Sequence, residues 1–140
     1  ELEMLPEYVD ALVDTLSDIE NTKNVTFDFS LNISEYFEKV DTSVTSKEEL
    51  IDKYRKEINR LSELANVNAT VYDDDVNARS MVDYRRDLNY HNCQKYDYVI
   101  WGESDAYPPK QIFEILDMIK TSAAAQNIHK YITTFAIRKI

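Results

Sequence analysis

The chain has 140 residues, of which 44% are hydrophobic, and a formal net charge of −10 from 26 acidic and 16 basic residues. This length fits a single domain with a usable core, and the hydrophobic share argues against intrinsic disorder. The acidic balance argues against a nucleic-acid binder and against docking on anionic membranes, because both need a basic surface.

Two residue counts narrow the function classes further. A single cysteine, Cys93, excludes an internal disulfide and any zinc cluster built on several thiolates. A single glycine, Gly102, excludes the Gly-rich phosphate cradles of the P-loop and of the dinucleotide fingerprint. No apolar run approaches the ~20 residues that span a bilayer, and the N-terminus lacks a basic-then-apolar signal pattern. We therefore expect a soluble, cytoplasmic protein with no membrane span.

Helical and strand patterns alternate along the chain. The spacing of apolar residues predicts helices over Pro6–Ile19, Ser46–Leu64, Met81–Asn92 and Gln111–Thr121. Alternating or β-favouring runs predict strands over Asn24–Ile33, Asn68–Tyr72 and Tyr96–Trp101, with Ile128–Ile137 as a further candidate. Such alternation predicts an α/β domain with a largely parallel sheet, in which ligands bind beyond the carboxyl ends of the strands. A ligand site is therefore first expected in the residues that directly follow Trp101. Trp101 itself is expected to be a core residue.

Two carboxylates, Glu103 and Asp105, directly follow the predicted strand Tyr96–Trp101 and precede Pro108 and Pro109. Separated by one residue at a strand end, both can face the same side and offer oxygen ligands to Mg²⁺ or Mn²⁺. Such a cation leaves coordination positions for a diphosphate and neutralises charge on a leaving nucleoside diphosphate. A solvated turn is the competing interpretation, because acid-x-acid patterns are frequent in this chain.

The stretch from Asp97 to Asp105, followed by the two prolines, resembles the metal-binding signature of GT-A-fold glycosyltransferases, of a family-2-like kind. Weaker similarity covers the rest of residues 6–120: the first helix, the strand ending near Asn32, and the arginine-containing helix at residues 82–89. The resemblance implies a GT-A-like (Rossmann-like) fold, with a mostly parallel sheet flanked by helices. Glu103 stands where the family has aspartate, and Asn32 stands where it often has acidic residues.

The resemblance also implies a function and a set of site residues. It implies a donor domain that binds a UDP- or GDP-linked sugar through Mn²⁺ or Mg²⁺ and transfers the sugar, with inversion, to an unidentified acceptor. Glu103 and Asp105 would hold the metal. The residues that would contact the nucleotide sugar are Asn32, Arg85, Arg86, Ser104 and Tyr107. For the two arginines, pairing with surface carboxylates is the alternative.

The family's first strand and its acceptor-binding half have no counterpart in residues 1–140. That first strand would lie between the strand ending near Asn32 and the one ending at Trp101. We therefore expect a single, incomplete nucleotide-sugar-binding domain, completed by a missing segment or by a partner chain. The alternative functions are a non-catalytic interaction or assembly module derived from such a domain, and an acidic α/β assembly protein.

Overall fold

The computed structural model describes residues 2–19, 22–33, 46–72, 80–102 and 106–129. Its elements are a 3-10 helix at Leu2–Met4, α1 at Leu5–Ser17, β1 at Thr26–Asn32, α2 at Lys47–Asn59, a 3-10 helix at Arg60–Glu63, β2 at Asn66–Tyr72, α3 at Met81–Asn92 and α4 at Ile112–Ala125. The four predicted helices and the first two predicted strands are thereby confirmed. In this part of the chain no helix is both long and apolar enough to cross a membrane.

The two strands form a parallel sheet, in continuous register from the pair Thr26–Asn66 to the pair Asn32–Tyr72. Parallel neighbours require a crossover connection, and α2 lies within that connection. A capping box opens this helix: the Ser46 hydroxyl accepts from the Glu49 amide at 3.2 Å, and the Ser46 amide donates to Glu49 Oε2 at 3.0 Å. The chain is a small α/β domain with a two-stranded parallel sheet among the described residues.

The hydrophobic core lies on one face of this sheet. Its buried side chains come from α1, β1, α2 and the residues that follow them: Leu5, Val9, Leu12, Leu16, Leu31, Ile33, Leu50, Tyr54, Ile58 and Leu61. Phe27 and Phe29 pack against this cluster from β1. The apolar side chains at alternate positions of β1 thus face the helices, as the alternation predicts.

The opposite face of the sheet is polar, because side chains alternate between the two faces of each strand. It carries Thr26, Asp28, Ser30 and Asn32 from β1, and Asn66, Asn68, Thr70 and Tyr72 from β2. Helix α3 crosses this face. The Tyr84 ring lies 4.9 Å from the Tyr72 ring at the end of β2, and Asn92 bonds to Asp28 in the first half of β1. Helix α3 therefore runs antiparallel to the strands and begins near their carboxyl ends.

The prediction of a buried strand over Tyr96–Trp101 is wrong. These residues have no regular secondary structure, and the indole of the expected core residue Trp101 is 45% exposed. β-favouring side chains form a strand only where a neighbouring edge can pair with them, and no described strand pairs with this segment. The strand candidate Ile128–Ile137 lies, after its first two residues, outside the described residues.

Candidate functional site

The carboxyl edge of the sheet gathers polar and aromatic side chains from three elements. Asn32 and Tyr72 are register partners at the ends of the two strands. The Tyr84 ring of α3 meets the Tyr72 ring edge to face. Helix α3 starts at this edge with a second capping box, in which the Ser80 hydroxyl accepts from the Asp83 amide at 3.3 Å. Asn32 and the arginine-bearing helix, two parts of the predicted nucleotide site, thus border the same end of the sheet.

Of the two candidate arginines, Arg86 makes two ion pairs with neighbouring carboxylates on α3. Arg86 Nη2 lies 3.0 Å from Asp83 Oδ1, and Arg86 Nε lies 3.6 Å from Asp87 Oδ1. For Arg86 the alternative interpretation, pairing with surface carboxylates, is therefore confirmed. Such exposed pairs contribute little energy, so the guanidinium can exchange these partners at small cost. Arg85 is exposed on α3 and follows Tyr84, which packs on the sheet.

The residues on both sides of the predicted metal pair contact α1. Gly102 lies so close to the Tyr8 hydroxyl that a Cβ at this position would collide with it. The Tyr107 ring lies 6.5 Å from the Tyr8 ring, with 48% of Tyr107 exposed. Lys110 Nζ lies 2.6 Å from the Oδ2 atom of Asp14, which is further along α1 than Tyr8. The described residues that flank the acid pair on both sides therefore contact α1.

The electrostatic consequences of these contacts are modest. Burial raises the pKa of Tyr8, which keeps its hydroxyl neutral at physiological pH. The hydrogen bond to Asp14 raises the pKa of Lys110, whose ammonium stays exposed to solvent. Neither group is prepared for proton transfer near neutrality, so we assign neither a role as general acid or base.

Three of the predicted site residues, Glu103, Ser104 and Asp105, lie outside the described residues. In the described ranges, no group of three or more His, Cys, Asp or Glu side chains is arranged to hold a metal ion. The metal pair and the contact from Ser104 stay predictions. By chemical type, two carboxylates suit Mg²⁺ or Mn²⁺, which are hard cations that take oxygen ligands.

A surface groove between α2 and β2 was missed by the sequence reasoning. It has a volume of about 350 Å³ and is lined by Glu48, Ile51, Asp52, Arg55 and Val71. Ile51 and Asp52 lie three and four residues after Glu48, and Arg55 lies three residues after Asp52, which places all four on one face of α2. That spacing was the available signal. The same spacing occurs on an ordinary solvent-exposed helix face, so it indicates a groove only once β2 is known to lie beside the helix.

No family model, no curated protein and no solved structure matches this chain.

Proposed function

We propose that this chain is the donor-binding part of a metal-dependent glycosyltransferase, which binds a UDP- or GDP-linked sugar at the carboxyl edge of the sheet. The observation that supports this proposal is the arrangement of β1, β2 and α3. Asn32 ends β1 at the edge where α3, with Arg85 in its first turns, begins. In open α/β sheets this edge is the usual place for ligands.

The proposal gives each candidate residue a role. Asn32 offers an amide to the base or the ribose, and Arg85 offers a guanidinium to the diphosphate. Glu103 and Asp105 would hold Mn²⁺ or Mg²⁺, which supplies Lewis-acid stabilisation of the leaving nucleoside diphosphate. Ser104 and Tyr107 are assigned to the sugar side of the donor. The acceptor and the base that deprotonates it are unassigned, and an inverting outcome follows from the resemblance.

Calorimetric titration with UDP- and GDP-sugars tests the proposal, with Mn²⁺ present or removed by a chelator. The decisive variant is Glu103→Ala/Asp105→Ala. Its matched control is Glu114→Ala/Asp117→Ala, which removes two exposed carboxylates from α4 and so changes the net charge equally. We expect binding that requires the cation, that the decisive variant loses and that the control retains. If the folded chain binds neither class of donor, the proposal is overturned.

A second candidate function is a non-catalytic interaction or assembly module derived from such a domain. The exposure of the apolar run Val99–Trp101 favours it, because contiguous exposed apolar side chains commonly mark interaction surfaces. A folded chain that binds no nucleotide sugar with or without Mn²⁺ would support this candidate over the enzyme.

A further inference from the structure

The Tyr8 side chain contacts a residue on either side of the proposed metal pair. Its hydroxyl occupies the space beside the Gly102 backbone that a Cβ would need. Its ring centroid lies 6.5 Å from that of Tyr107, at an interplanar angle of 35°. Glu103 and Asp105 stand between positions 102 and 107 in the sequence. One side chain of α1 is therefore in contact with both flanks of the segment that carries the two carboxylates.

Tyr8 is itself held in place by the hydrophobic core. It lies in the first turn of α1, next to the fully buried Val9, and its side chain packs against the core cluster. Side chains that pack against a dense protein interior keep to one rotamer. The Tyr8 ring therefore presents a fixed surface to Gly102 and Tyr107.

A second contact, the ion pair between Lys110 and Asp14, joins the residues after Tyr107 to α1. Its two side chains are 54% and 57% exposed, and exposed ion pairs contribute little free energy because water solvates both partners. The Tyr8 ring instead covers apolar surface and meets a second aromatic ring, which is the larger effect. Of the two contacts, the one through Tyr8 is therefore expected to fix this stretch of chain.

A fixed segment favours a metal site that lies on it. Two carboxylates one residue apart reach the same cation in only some of the conformations that a free segment adopts. Each backbone residue that has to be ordered on binding weakens affinity by about five-fold or more. Contacts that hold the segment before the metal arrives remove part of this loss.

We propose that Tyr8 is a positioning residue for the metal pair. Its ring holds residues 102 and 107 against α1 and thereby preorganises Glu103 and Asp105 for Mn²⁺ or Mg²⁺. Tyr8 is not a metal ligand in this role, because its hydroxyl faces the Gly102 backbone. The role rests on the proposed function, since it requires that the two carboxylates bind the cation.

Electron paramagnetic resonance of free Mn²⁺ measures the affinity of the whole chain for the cation without any transfer reaction. Tyr8→Leu removes the ring but keeps an apolar side chain against the core, and should weaken Mn²⁺ binding by about ten-fold. Tyr8→Phe keeps the ring and should stay within about two-fold of wild type. The matched controls are Ile58→Val and Ile58→Ala, which destabilise the core from α2 to a smaller and a larger extent. Both should bind Mn²⁺ as wild type does.

The single tryptophan gives a second readout, which does not depend on the metal. Trp101 directly precedes Gly102, so its motion reports on this flank of the segment. Time-resolved fluorescence anisotropy of Trp101 is recorded without metal. We expect a larger amplitude of fast local motion in Tyr8→Leu than in wild type, in Tyr8→Phe or in either Ile58 variant. A general loss of core stability would not produce this pattern.

The two readouts separate the role of Tyr8 from the proposed function. If wild type binds Mn²⁺ and Tyr8→Leu binds it equally well, the positioning role is overturned and the metal pair stands. If wild type binds no Mn²⁺, the metal pair is wrong and the positioning role falls with it, even where Trp101 responds to Tyr8→Leu. Equal weakening of Mn²⁺ binding by Tyr8→Leu and Ile58→Ala would also overturn the role, because lost stability would then explain the effect.

Discussion

The side-chain amide of Asn92 donates a hydrogen bond to Asp28 Oδ2 at 2.9 Å and connects the end of α3 to the first half of β1. The two residues are far apart in sequence, and Asn92 is only 7% exposed. This bond holds α3 across the polar face of the sheet, where the helix has little apolar surface of its own to bury. The position of α3 is therefore set by this polar contact at its end together with the Tyr84–Tyr72 ring contact near its start.

Asn92→Ala should destabilise the fold by about 1–3 kcal/mol, because it leaves the partly buried Asp28 carboxylate without this donor. The measurement is the free energy of unfolding from urea titration. Asn89→Ala is the matched control: it lies on the same helix, is exposed, and makes the same change in helix propensity. Equal effects of the two substitutions would contradict the structural role of the Asn92–Asp28 bond.

Gly102 does not have a positive φ, so its backbone conformation does not require glycine. The reason for glycine at this position is the space that a side chain would need. A Cβ at Gly102 would collide with the Tyr8 hydroxyl, which is the end of a side chain and can yield. Gly102→Ala should therefore cost about 1 kcal/mol, at the low end of overpacking effects. Measured in urea, the double variant Tyr8→Phe/Gly102→Ala should recover part of that loss, because Phe removes the colliding oxygen. If the double variant instead loses the sum of the two single losses in unfolding free energy, the contact with the Tyr8 hydroxyl is not the reason for glycine at position 102.

The elements that sequence reasoning predicted correctly carry their signal locally. The stripe on α2 from Leu50 to Ile58, the alternation in β1 and the capping box at Ser46 are visible in a short window of residues. Local signals of this kind also gave the α/β class, because helices and strands alternate along the chain. Here the position of Asn32 at the end of β1 follows directly from the alternation.

The parts that were missed or wrongly predicted depend on neighbours distant in sequence. Tyr96–Trp101 has the composition of a buried strand, but its state depends on whether a sheet edge is available, and no residue in the segment encodes that. The groove beside β2 needs both Val71 and the rim of α2, which meet only in the folded chain. The polar face with Asp28 and Asn92 is likewise a product of packing.

The capping box of α2 should contribute measurably to stability. The Ser46 hydroxyl accepts from the Glu49 amide at the first turn, where helical amides have no partner within the helix. Ser46→Ala should therefore lower the free energy of unfolding by about 1 kcal/mol. Ser46→Asp keeps an acceptor at the cap and should retain most of the stability. A loss with Asp as large as the loss with Ala would exclude the cap as the cause.

The pKa of Tyr8 gives the last prediction, which concerns stability at alkaline pH. Burial raises the pKa of Tyr8 in the folded chain above its ordinary value of about 10. The folded state therefore keeps the phenolic proton at a pH where the unfolded state has released it. Stability is unaffected below about pH 10 and falls as the pH rises from there through the folded pKa.

Urea midpoints measured from pH 8 to 11 on wild type and on Tyr8→Phe test this sign. Tyr8→Phe should lose less stability above pH 10 than wild type does, because it has no proton to release at this position. Other groups, such as Lys110, contribute the same background to both proteins and cancel in the comparison. Tyr90→Phe, at a residue 68% exposed, should follow the wild-type curve. A Tyr8→Phe curve parallel to wild type across this range would show that Tyr8 titrates alike in the folded and unfolded states.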